Sequence, residues 1–155
     1  MILYHGSNIE VKNIDLSMSK PGKDFGRGFY LSDSETQALE MASYKFELFG
    51  GKPFVSKFDF DMESLMKSNL KIAIFKDYTL EWLDFVILNR RMELNELYDF
   101  VYGPIADDKV GRQLRKFFDK DITKEELLHR LKFMKGITFK YYFGTEKAIN
   151  YLKAL

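Results

Sequence analysis

The stretch Asp24-Phe25-Gly26-Arg27-Gly28-Phe29-Tyr30, taken with Leu3-Tyr4-His5-Gly6-Ser7 upstream, decides how the rest of the chain is read. In the upstream segment the β-rich residues Ile2 to His5 give way to Gly6, Ser7 and Asn8, which favour turns, so a short strand ends on an imidazole. A residue without a Cβ and a hydroxyl follow directly, which lets a ligand approach backbone groups closely. In the later segment two glycines permit a tight turn onto a short strand, Phe29 to Leu31, with Asp24 and Arg27 flanking Tyr30. The Gly26-x-Gly28 spacing is not a dinucleotide fingerprint. It lacks the third glycine and opens onto a strand, so no helix N-terminus is placed to receive a phosphate. From Lys12 to Gly28 the chain shows no steady period and holds Pro21 and three glycines, the pattern of a long functional or mobile loop.

Working outward, Ser34 with Gln37 forms a capping box, and Ala38, Met41 and Ala42 continue at helical spacing, which predicts a helix near residues 35–48. Gly50, Gly51 and Pro53 break it before a strand from Phe54 to Asp61. Leu80, Trp82, Leu83, Val86, Ile87 and Leu88 make a second helix, with Arg90 and Arg91 complementing its C-terminal dipole. Tyr98 to Ile105 reads as a strand stopped at Gly103-Pro104. Asp107 and Asp108 then open a helix through Val110, Leu114, Phe117 and Phe118, so Val101 to Asp108 reads more simply as a strand-to-helix turn than as a catalytic site. Thr123 and Glu126 cap a further helix that Gly136 ends, Ile137 to Phe143 is the last strand, and Thr145 caps a C-terminal helix through Ile149 and Leu152. Strands and helices mix without βαβ alternation, which predicts an α+β fold in a single domain over residues 1–155.

Composition narrows the function. With 155 residues, 46% of them hydrophobic, the chain encloses one sizeable core. Twenty-four basic against 23 acidic residues leave a net charge of +1, so a nucleic-acid or membrane partner would need a local patch. No cysteines and two histidines remove disulfides, thiolate nucleophiles and almost every zinc ligand, so no metal site is expected. No basic region with an apolar stretch precedes Ile2, and no run of about 18 apolar residues occurs, which reads as a cytoplasmic protein with no membrane association.

Leu3-Tyr4-His5-Gly6-Ser7, followed by Gly26-Arg27-Gly28-Phe29-Tyr30 ahead of an alanine-containing helix, closely resembles the first two signature elements of diphtheria-toxin-type ADP-ribosyltransferases, including the poly(ADP-ribose) polymerases. In these proteins a histidine, a tyrosine and a glutamate or its substitute follow in that order. Gly103-Pro104-Ile105-Ala106-Asp107-Asp108 and Phe143-Gly144-Thr145-Glu146-x-Ala148-Ile149 look like a bacterial branch of that superfamily, a domain of unknown function, and the likeness spans residues 2 to 152. The resemblance implies a split β-sheet core with flanking helices and NAD as substrate. It puts His5 on a ribose hydroxyl, the Gly6 backbone on the nicotinamide amide, Ser7 beside it and Tyr30 stacked on the nicotinamide ring. Each role suits the residue type, because imidazole donates and accepts and a tyrosine face favours a cationic pyridinium. Asp24 and Arg27 are expected at the pocket-facing end of the loop, and Met41 stands where the superfamily often has a second aromatic wall.

Aligned with the family's last strand, Lys140 falls where the family has glutamate or, in this branch, glutamine, which makes it the third catalytic position with His5 and Tyr30. A lysine ammonium has no acceptor for the ribose hydroxyl and repels positive charge developing at the ribosyl centre. Three readings follow: an ADP-ribosyltransferase impaired by Lys140, whether that lysine is natural or introduced; a silent NAD-binding or partner-binding module; and an RNA phosphotransferase, which would need several phosphate-clamping arginines where only Arg27 is near. The same resemblance implies a toxin of a toxin–antitoxin pair, with a protein or nucleic-acid acceptor and a cognate antitoxin as the expected partners.

Overall fold

The computed structural model describes residues 1–155, and its strands fall into two sheets. In chain order the elements are β1 (Ile2–Ser7), β2 (Phe29–Leu31), α1 (Glu35–Phe49), β3 (Phe54–Phe60), α2 (Met62–Met66), β4 (Ile72–Ile74), α3 (Leu80–Arg90), β5 (Phe100–Pro104), α4 (Asp108–Phe118), α5 (Lys124–Lys132), β6 (Phe139–Phe143), α6 (Glu146–Ile149) and β7 (Leu152–Ala154). One sheet runs β1-β3-β7 and is antiparallel. The other runs β2-β6-β5-β4, with only the β4–β5 pair parallel. The expected α+β class holds, with six α-helices around the sheets.

A single antiparallel bridge, Tyr4 to Ser32, joins the sheets through two backbone hydrogen bonds of 2.7 and 2.9 Å. The inner faces pack on one another through Leu3, Phe58, Phe60, Leu31, Phe100 and Phe143. The second core lies on the other face of the four-stranded sheet, where Val101 and Tyr142 meet Trp82, Val86, Leu114 and Leu127 from α3, α4 and α5. The period-two alternation of strands assigns these faces. Phe100 and Phe143 go one way, Val101 and Tyr142 the other, and Tyr30 and Lys140 share the Tyr142 parity. Each large side chain enclosed this way contributes about 1.5–3 kcal/mol.

Most helix starts obey their caps. Ser34, Thr79, Asp107, Thr123 and Thr145 each accept a backbone N–H in the first turn of the following helix. The Ser34–Gln37 pair is only half a capping box, because the Gln37 carboxamide turns away to Ser32 and Lys140. Five boundaries differ from expectation by two residues or more. β1 continues through Gly6 and Ser7, which pair with Val55 and Phe54. Tyr98 and Asp99 lie outside β5, and β6 begins at Phe139 rather than Ile137. α5 stops at Lys132, leaving Gly136 in the loop beyond with φ 76°. The C-terminal helix closes at Ile149, because Leu152 leaves it to pair with Phe60 as a strand. α2, β4 and β7 are too short to carry a legible period. No helix is long and apolar enough to cross a membrane.

Candidate functional site

Past the Tyr4–Ser32 bridge, β1 and β2 part, and a cleft of about 870 Å³ opens between them, within the range of small-molecule sites. Its walls bring together His5, Gly6 and Ser7 from β1, Tyr30 from β2, Met41 from α1 and Lys140 from β6. The loop between β1 and β2 closes one side, contributing Lys23 and Asp24. Strand pairing makes this convergence: Leu31 of β2 lies opposite Tyr141 of β6, which sets Lys140 one residue past the end of β2.

His5 is held at one nitrogen. Its Nδ1 lies 2.9 Å from the Tyr30 carbonyl, which can only accept, so Nδ1 carries the proton and Nε2 is left as an acceptor. The ring stacks on Phe29 at 4.4 Å. Enclosure, followed by the nearby Lys45 ammonium, lowers the imidazole pKa to about 4, against the raising effect of the Tyr30 carbonyl. His5 is therefore neutral at pH 7 and can take a hydrogen bond from a ligand hydroxyl at Nε2.

The Tyr30 hydroxyl is committed to the protein: it donates to the Gly26 carbonyl at 2.7 Å and accepts from the Phe25 N–H at 3.1 Å. Burial raises its pKa above the ordinary tyrosine range, so it stays protonated. The ring packs beside Phe25 and edge-on to Tyr142, and the Lys23 ammonium sits 5.2 Å from its centroid. That ammonium stands where a cationic ligand ring would draw on the same π-face. Gly28 makes the turn possible, since a Cβ there would lie 2.2 Å from the Tyr142 ring.

Gly6 is glycine for the same kind of reason: β1 and α1 run so close that a Cβ would meet the Ala38 carbonyl oxygen at 1.8 Å. Its own carbonyl already accepts from Lys45 Nζ at 3.0 Å. Ser7 is buried in the cleft wall, and Met41 stands at the rim, 42% exposed.

The two residues flanking the glycine turn behave differently from each other. Asp24 lines the cleft, but both its oxygens are engaged, one by Arg90 Nε at 2.6 Å and the other by the Ala106 N–H at 2.6 Å. Arg27 is not in the cleft wall. Its guanidinium donates to the Ser19 and Ser17 carbonyls at 2.7 and 2.8 Å, tying the loop to itself, and it borders a smaller cavity of about 330 Å³ beyond Phe25. Lys140 Nζ reaches the Gln37 side-chain oxygen at 3.3 Å, and its pKa is lowered mainly by burial, with Asp33 and Glu40 opposing.

Lys23, Lys45 and Arg90 also line the cleft and were not singled out from the sequence. Lys45 had a signal, since it falls one helical turn past Met41 and seven residues past Ala38 on the face that α1 turns to β1. Arg90 was legible only as a dipole complement, and Lys23 not at all. No group of three or more His, Cys, Asp or Glu side chains is placed to hold a metal ion.

The family model described as "Protein of unknown function (DUF3990)" matches residues 1–154, and the chain belongs to that family. No curated protein and no solved structure matches it.

Proposed function

We propose that the cleft between His5 and Tyr30 binds NAD, and that the domain is an ADP-ribosyltransferase-type fold whose chemistry is impaired by Lys140. The observation that carries this reading is the pairing of a hydrogen-bond acceptor with a cation-accepting ring: His5 Nε2 is free because Nδ1–H is given to Tyr30, and the Tyr30 face already carries a lysine ammonium. A ribose hydroxyl suits the first and a nicotinamide pyridinium the second, once Lys23 swings aside. The division of the strands into two sheets joined at the Tyr4–Ser32 bridge supports the split-sheet core that the resemblance implies. An acceptor and an antitoxin follow from the resemblance alone.

Lys140 favours a second reading, a silent NAD-binding module. It lines the cleft without a carboxylate partner, and the neighbouring Gln37 oxygen is already shared by Ser32 and Lys140 itself. Two unit charges ~4 Å apart at an effective dielectric of ~20 repel by about 4 kcal/mol, close to a thousandfold in rate, less to the extent that burial deprotonates the amine.

Calorimetry with NAD tests the pocket, and nicotinamide release tests the chemistry. Lys140→Gln and Lys140→Glu should raise release by about a hundred- to a thousandfold. NAD binding with both variants inert would select the silent module; no NAD binding by the unaltered protein would end both readings.

A further inference from the structure

We propose that Lys23, Lys45 and Lys140 form an anion subsite in this cleft, which takes the phosphate of a sugar phosphate or nucleotide whose hydroxyl is held by His5. The inference uses the cleft of the preceding reading without depending on NAD chemistry. Its basis is an imbalance of charge partners. Each of the three ammonium groups rests against a neutral group: Lys45 on the Gly6 carbonyl, Lys140 on the Gln37 amide and Lys23 on the Tyr30 ring. None has a carboxylate within 4.0 Å.

The carboxylates in the cleft wall are already used. Asp24 is held by Arg90 and a backbone N–H, Glu10 lies beside Lys12, and Asp15 caps the short 3-10 turn at Leu16–Met18. Lys45 and Lys140 are half-buried and Lys23 is exposed; burying an ammonium with no carboxylate in contact is costly, and at Lys140 the more distant Asp33 and Glu40 offset only part of that cost. Crowding adds to this at Lys45, which burial and then Lys23 lower, and Lys45, Lys23 and Lys140 all lower His5. A dianionic phosphate removes this penalty with charge-assisted hydrogen bonds.

The position of His5 narrows the ligand further. Nε2 is an acceptor, so it repels a phosphate oxygen and attracts a hydroxyl, and inorganic phosphate alone leaves it unmatched. A phosphorylated sugar supplies both groups in one molecule. Lys23 is the least tethered of the three, because its contact is a ring face 5.2 Å away and not a hydrogen bond.

The test is calorimetry of the whole chain with pyrophosphate, ribose 5-phosphate, ADP-ribose and unphosphorylated ribose. ADP-ribose should bind more tightly than pyrophosphate, ribose should bind least, and added salt should weaken the phosphorylated ligands. Lys45→Met and Lys140→Met should each weaken ADP-ribose by about ten- to a hundredfold, whereas Lys12→Met, an exposed control, should not. Lys45→Arg keeps the charge and should retain most of the affinity, which separates loss of charge from loss of the Gly6 contact. The proposal is overturned if pyrophosphate and ADP-ribose fail to bind, or if the Lys45 and Lys140 variants lose no more than the Lys12 control. ADP-ribose binding without NAD binding would sink the NAD reading alone; NAD binding unchanged by both Lys45→Met and Lys140→Met would sink this one alone.

Discussion

Replacing Asp24 by asparagine should cost the fold more than it costs ligand binding. The Asp24 carboxylate ties three parts of the cleft wall together: its own loop, the C-terminal end of α3 through Arg90, and the backbone at Ala106 before α4. Its side chain is 9% exposed and that of Arg90 29%. An asparagine of the same shape offers one acceptor where two are needed, so its NH2 group faces either the Arg90 guanidinium or the Ala106 N–H, donor against donor. Breaking a buried ion pair costs about 3–5 kcal/mol, and the partial exposure of Arg90 reduces this to about 2–3 kcal/mol. For a domain of 155 residues that corresponds to a fall of about 6–9 °C in Tm. Thermal and urea unfolding of the unaltered protein and Asp24→Asn measure it directly. A stability change within about 0.5 kcal/mol, together with a large loss of nucleotide affinity, would show that Asp24 serves the ligand and would refute its role as a clamp.

Tyr30→Phe should destabilise by about 1–3 kcal/mol, because it strips the Phe25 N–H and the Gly26 carbonyl of their partner, while the retained ring keeps nucleotide affinity close to normal. Tyr30→Ala should in addition weaken NAD by about 1–3 kcal/mol, and equal affinity in the two variants would remove the ring from the site. The His5 pKa is about 4 in the folded protein against 6.5 in the unfolded chain, so folding disfavours its proton. The contribution of neutral His5 is therefore complete above about pH 6.5 and is lost as pH falls toward about 4, a decline of about 3 kcal/mol. The stability difference between the unaltered protein and His5→Asn, followed across this window, should shrink accordingly; a difference independent of pH would contradict the enclosed, neutral imidazole.

Much of the local structure was legible because its causes lie within a few residues. Ser34, Asp107, Thr123 and Thr145 satisfy backbone donors of the turn that follows them, and the alternation in Phe54–Phe60 marks one buried face whatever lies opposite. The glycines at 6 and 28 announced close approaches, but the ligand expected against Gly6 is replaced there by the backbone of α1. Ala38 and Tyr142 are what approach, and both come from elsewhere in the chain. β4 and β7 escaped notice because three residues carry no period, and each exists only where a partner strand already lies. The candidate site divides along the same line. The residue types at His5, Tyr30 and Lys140 were in the sequence, but their convergence depends on β2 pairing with β6 and on the bridge between Tyr4 and Ser32. So does the charge of the cleft. Arg27 and Asp24 look alike as flanking charges in the sequence, yet Arg27 is spent on nearby carbonyls while Asp24 finds Arg90 across the fold. Which ammonium groups are left without a carboxylate depends on distances between segments far apart in the chain, and only tertiary packing fixes those distances.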